Sequence, residues 1–215
     1  MNPGRVSLIV VGSAAALVAC AGDLVMPLLL ARHYPGYSHL RDVESLLGTA
    51  GSPVGRWMSL WWIGFGALII LFAVSFGVAF RGRGAAATVL TGQLALFGAM
   101  AGIAAGLFPM DVGNQVTLSG RLHNILGGVG FIAIVLAPAT AMLLFRPGGH
   151  TAMFVIAAVT LVAGLAACVV YIVSEGKTAG LLRFTGLWQR LFLLSCYVFV
   201  SALAIQTMQI ARARP

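Results

Sequence analysis

Acidic side chains are nearly missing from this chain: five Asp and Glu stand among 215 residues, against thirteen Lys and Arg, and only 8% of the sequence is charged. A soluble domain carries about a quarter charged residues and runs nearer half apolar. Here 60% is hydrophobic, with a mean hydropathy of +1.00, so a water-soluble globule is excluded. The three cysteines, Cys20, Cys168 and Cys196, all fall inside apolar runs; they read as small packing groups and imply no disulfide framework. Catalytic fingerprints are missing too: there is no GxSxG elbow, Walker loop, CxxCH haem attachment or GxGxxG turn. His33 and His39 are six apart, and no HxxxH or HExxH spacing occurs, so no metal site is expected and the cofactor stays open.

What is present is apolar length. Six runs, about 6–31, 56–80, 85–108, 122–145, 151–173 and 187–210, each approach or exceed the ~20 residues a helix needs to cross the hydrocarbon core. They are too long for barrel strands and do not alternate. The expected fold is therefore all-α, a polytopic bundle of six transmembrane helices forming one domain over 1–215. Residues 1–20 resemble a lipoprotein signal ending at Leu17-Val18-Ala19-Cys20, but the apolar run continues to Ala31, too far for a signal segment; it reads as the first span.

The net charge of +8 does not point to nucleic acid. Its arginines stand singly or in pairs at span ends (Arg5, Arg81 with Arg83, Arg146, Arg212 with Arg214), without the basic stripe and interleaved aromatics of a nucleic-acid groove. They read as topology signals. Six spans put both termini on one side, and the short basic loops there place it in the cytoplasm of a cell's inner membrane. The opposite side collects Asp42, Glu44, Asp111, Glu175, His33, His39 and His123, with Trp57, Trp61, Trp62 and Trp188 expected as a belt at headgroup level.

Two loops on that richer side carry the candidate chemistry. In RHYPGYSHLRDVESLLGTAGSPVGR, residues 32–56, Pro35-Gly36 is a turn signal. A short amphipathic helix is expected from Ser38 to Gly48, lying on the membrane surface and presenting His39, Asp42 and Ser45. In GLFPMDVGNQVTLSGRLHN, Pro109 ends span three and Ser119 or Gly120 caps span four. His123 and Asn124 then sit in its first turn, where the positive helix end favours a neutral imidazole suited to general-base work. Asp111 is expected to orient His123, and Arg121 or Arg190 to clamp an anion. Asp23 lies ~12 Å, eight residues at 1.5 Å each, below the outer end of span one. An acid there costs ~2.5–3.5 kcal/mol on insertion scales, so it needs a buried partner, for which Gln189 and Arg190 are the candidates. The ridge Gly98, Gly102, Gly106 and the cluster Gly127, Gly128, Gly130 are expected to pack spans three and four together.

The segments PGYSHLRDVESLLGTAGSP, FPMD, LHN and GLWQR together resemble the six-helix bacterial and archaeal membrane proteins of domain-of-unknown-function family 998. The matching positions are Tyr37, Asp42, Ser45, Gly48, Pro53, Pro109, Asp111, His123, Gly186 and Arg190, with Gln189 where an acid often precedes the arginine. The resemblance implies a six-span bundle and no activity. More distantly the pattern is similar to damage-regulated autophagy modulators and GPI-anchor remodelling proteins, which suggests lipids by analogy.

The expected function is binding or remodelling of a membrane lipid or lipophilic small molecule in an outward-facing polar pocket. Headgroup hydrolysis or transfer would use Asp111, His123, Asp42 and Ser45, with Asp23, His39, Arg121, Asn124, Gln189 and Arg190 holding the ligand. The alternatives are a non-catalytic carrier and a membrane partner protein; few ionisable groups in the spans argue against a proton-coupled pump. Whether the protein is an enzyme, and its oligomeric state, stay open.

Overall fold

The computed structural model describes residues 3–113, 116–146 and 149–213; Arg214 lies outside them. Six helices are long and apolar enough to cross a membrane: α1 Pro3–Ala31, α2 Gly55–Ala79, α3 Ala85–Leu107, α4 Leu118–Leu144, α5 Thr151–Ser174 and α6 Thr185–Arg212. Their bounds fall within four residues of the expected spans. The largest shift is at the start of α4, where Thr117, not Ser119 or Gly120, is the cap. Its hydroxyl accepts the Gly120 N–H at 3.1 Å, which fixes the first turn four residues early.

The helices pack in chain order as a closed ring, each on its neighbour, with α6 returning to α1 and also touching α2 across the interior. Aromatic and small side chains fill the middle: Phe72, Phe76, Phe97, Phe145, Phe192 and Phe199 are all fully buried. Helix α5 is the most peripheral, with 22% of its most apolar window buried against 39–50% in the others. Pro27 and Pro138 lie inside α1 and α4 and are buried there. Such prolines are tolerated in spanning helices because neighbouring groups satisfy the freed backbone.

The glycine ridge corrects the sequence reading. It packs α3 onto α2, not onto α4. A methyl at Gly102 would stand 2.5 Å from the Gly66 Cα, one at Gly106 would stand 2.5 Å from the Ser59 carbonyl, and one at Gly66 would strike the Gly98 carbonyl. Backbone meets backbone here, so no side chain can yield. Helix α4 meets α3 through Gly130 instead, whose Cβ would lie 2.7 Å from the Ala101 nitrogen. Gly127 and Gly128 meet nothing within 4 Å of a Cβ, so they are not packing residues. The middle of α3, Phe97–Ala104, is a π-helix. Such wide turns are rare and gather at functional sites; this one carries Gly98 and Gly102 against α2 and turns Phe97 and Ala101 toward the interior.

Candidate functional site

The first loop is strapped to the start of α6. Its chain turns at Tyr34–Tyr37, and the Ser38 N–H is then taken by the Asp42 carboxylate at 2.7 Å. The carbonyls that a helix would use internally are directed at α6. Leu40 O accepts the Leu187 N–H at 2.9 Å, and Arg41 O accepts that of Gly186 at 3.3 Å. The Arg190 guanidinium completes the strap. One nitrogen donates to the carbonyls of His39 (2.7 Å), Asp42 (3.1 Å) and Gly186 (2.9 Å), and the other to the Tyr37 hydroxyl at 2.6 Å. Gly186 is required because a Cβ there would strike the Asp42 carbonyl. The expected surface helix from Ser38 to Gly48 therefore does not form. What forms is a turn followed by one 3-10 stretch, Glu44–Gly48. It points inward, with Leu47 fully buried and Glu44 only 6% exposed.

That strap places Glu44 in the bundle mouth. Its backbone N–H donates to Gln189 Oε1 at 2.6 Å. Burial, reinforced by the nearby Asp23 charge, holds its carboxyl well above the usual carboxylate value; Arg190 and the Trp62 side chain oppose this. Asp23 is held by Trp61, whose indole N–H donates at 2.6 Å, and by the Tyr197 hydroxyl. This corrects the expectation of Arg190 and Gln189 as its partners: Arg190 is spent on carbonyls and Tyr37, and Gln189 on Glu44. Trp61 and Trp62 therefore turn inward, with Trp62 6% exposed, and only Trp57 and Trp188 remain in the expected belt. Gly22 and Gly48 lie flat against the Trp61 and Trp62 rings, where a Cβ would collide.

Between these groups lies a cavity of about 460 Å³, walled by residues from all six helices and both loops. Small-molecule sites commonly occupy ~300–1,000 Å³. Its polar wall is Asp23, Glu44, Ser45, His123 and Gln189, with Tyr171, Glu175 and Tyr197. Its apolar wall is Phe65, Phe97, Phe131, Val135 and Leu193. Gly127 and Gly128 floor an open stretch of α4, and Ile132 on α4 and Ile172 on α5, both 61% exposed, border the cavity. The cavity is thus open sideways between α4 and α5, toward the surface that faces hydrocarbon in a membrane.

Of the ten candidates read from sequence, Asp23, Ser45, His123, Asn124 and Gln189 border the cavity. Asp42, His39 and Arg190 serve the strap beside it. His39 lends its carbonyl and packs its ring edge-on against Tyr37; its Nδ1 is buried without a hydrogen-bond partner, and burial, with Arg190 nearby, lowers the ring's pKa. Asp111 does not orient His123. Its two oxygens take the Thr117 backbone N–H (2.8 Å) and hydroxyl (2.7 Å), so it pins the entry to α4, and those bonds, hydroxyl first, lower its pKa. His123, 7% exposed, places Nδ1 2.8 Å from the Phe108 carbonyl. A carbonyl only accepts, so Nδ1 carries hydrogen, and in the neutral ring Nε2 holds the lone pair. Arg121 is exposed and outside the cavity wall. No arginine or lysine stands among the described wall residues, so the expected anion clamp is not formed. Among the described residues no three of His, Cys, Asp and Glu converge as metal ligands.

Sequence reasoning missed Glu44, Trp61, Trp62, Tyr197 and the open glycines. Asp23 had a signal: it shares one buried stripe of α1 with Ala16, Ala19, Cys20 and Pro27, so its inward aim was legible. Glu44 had none, because nothing local separates it from Asp42 two residues earlier.

This arrangement defines a six-helix membrane protein with a cavity at its loop-rich end. Residues 10–206 match the family described as Protein of unknown function (DUF998), and the chain belongs to that family. No curated protein and no solved structure matches it at a significant level.

Proposed function

We propose that this protein binds a lipid or lipophilic small molecule in the cavity at its loop-rich end, with that end at the outer face of the cytoplasmic membrane and both termini in the cytoplasm. One observation carries the reading: the cavity sets a polar wall, Asp23, Glu44, Ser45 and Tyr197, against an apolar one, Phe97, Phe131 and Val135, and its lining runs out to the exposed Ile132 and Ile172 on α4 and α5. An amphiphile entering between α4 and α5 finds both surfaces it needs, its headgroup on the polar wall and its chain along the apolar one and out past Ile132 and Ile172. A closed structural core would be filled at Gly127 and Gly128; here their faces look into open space.

Chemistry on the headgroup would use His123 as the base through Nε2, with the Phe108 carbonyl in the orienting role and Ser45 on the same wall. Asp111 has no part in it. Binding is the reading favoured here, and it is tested by native mass spectrometry of gently purified protein beside Gly128→Phe, whose ring would occupy the cavity. A bound lipid or small molecule is expected in the wild type and lost in the variant. The same bound species in both would overturn the assignment to this cavity.

A further inference from the structure

We infer that the cavity selects an amphiphile with a single hydrocarbon chain and an ammonium head, seated on Glu44 with its chain leaving between α4 and α5. This rests on the reading of the cavity as a site for lipids or lipophilic molecules, and adds the sign and shape of the ligand.

The sign comes from the wall. Three carboxylates, Asp23, Glu44 and Glu175, border the cavity, and no arginine or lysine does among the described residues. Arg190 is not a wall residue, and its Nη1 and Nη2 bonds run to three carbonyls and Tyr37. A phosphate or carboxylate headgroup would meet acids with no arginine or lysine in the described wall to offset them. An ammonium would meet its complement.

The head has an aromatic surround as well. Trp62, Tyr171 and Tyr197 all stand in the wall beside these acids. Aromatic faces attract a desolvated cation within about 6 Å, tryptophan best, and such cages are a recurrent way of holding ammonium groups. Asp23 is fixed at both oxygens by Trp61 and Tyr197. Asp23 is thus engaged, and Glu44, whose backbone is pinned by Gln189, is the contact residue; an ammonium beside it favours the ionised carboxylate that burial alone disfavours.

The shape comes from the apolar part. Phe97, Phe131, Val135 and Leu193 form the apolar wall, and the way out passes Gly127, Gly128, Ile132 and Ile172. About 460 Å³ sits in the range of one small ligand, so one chain is enclosed at the head and continues into the hydrocarbon.

The test uses the full chain in phosphatidylcholine nanodiscs, with Trp57→Phe and Trp188→Phe, so that Trp61 and Trp62 report. Three chain-brominated probes of equal length are titrated: an alkylammonium, an alkanol and an alkyl phosphate. Saturable tryptophan quenching is expected, with the ammonium preferred over the alkanol by about 10- to 100-fold, the worth of one charge-assisted hydrogen bond of ~1.5–3 kcal/mol. Glu44→Gln should collapse that ratio. A phosphate bound as tightly as the ammonium, or a ratio unmoved by Glu44→Gln, would overturn the ammonium inference while leaving the binding reading in place. Absence of saturable quenching by any probe would overturn both. Native mass spectrometry of protein taken from its own membrane then separates the sources. A retained amine assigns a membrane component; an empty protein that takes the added ammonium assigns a solute.

Discussion

Replacing Arg190 with methionine nearly keeps the volume of the side chain and removes the guanidinium donors of the strap. Four hydrogen bonds go: to His39 O, Asp42 O, Gly186 O and the Tyr37 hydroxyl. Bonds to a charged donor are worth ~1.5–3 kcal/mol each when their partners are left dry. These partners are only part-buried, so water recovers much of that, and the Leu187 and Gly186 backbone bonds to the loop remain. A net local loss of about 2–4 kcal/mol follows. It falls on residues 37–45 and not on the ring of helices, whose packing Arg190 does not supply. Hydrogen exchange reads this directly. Amides of Asp42 and Glu44, bonded to Ser38 O and Gln189, should exchange about 30- to 1,000-fold faster, since 1.4 kcal/mol is tenfold, while the midportions of α2 and α6 keep their protection. Arg190→Lys should fall between, because one ammonium cannot span both the carbonyls and Tyr37. Unchanged protection at Asp42 and Glu44 in Arg190→Met would refute the strap as the device that positions Glu44.

Two further outcomes follow from the same geometry. Because burial and Asp23 raise the Glu44 carboxyl, the folded state holds its proton more tightly than the unfolded one. Its stabilising contribution is complete below the unfolded value of about 4.3 and is lost as pH rises toward the folded value. Glu44→Gln cannot lose a proton, so its melting temperature relative to wild type should climb with pH above that point; a difference independent of pH would show that Glu44 titrates as an exposed acid does. Gly66→Val should abolish folding or lower the melting temperature severely, since its Cβ meets the Gly98 carbonyl and the Ile103 nitrogen at 2.7 Å. Gly127→Ala, facing open space, should melt within about 1 kcal/mol of wild type, the scale of a helix-interior glycine replaced by alanine. Equal effects of the two changes would contradict the packing described.

Much of the fold was fixed before any tertiary contact. Runs of about twenty apolar residues in a chain this poor in charge have one solution in lipid, because each helix bonds its own backbone; hence spans that agree within a few residues. Asp23 was legible for the same reason, since an acid among buried small residues of α1 has nowhere else to aim. The partners were not legible. Trp61, Tyr197 and Gln189 reach the acids only because α1, α2 and α6 meet in the ring, and sequence carries no such distances. The glycines of α3 gave their purpose but not their partner, which is Gly66 and Ser59 on α2. The first loop misled most. Its apolar spacing from Ser38 to Gly48 is that of a surface helix, yet Arg190, some 150 residues later, draws its carbonyls away and turns Glu44 inward. Local hydrophobic pattern sets which segments enter the bilayer. Which polar atoms share the cavity is decided by hydrogen bonds between distant parts of the chain, and those exist only once the helices have packed.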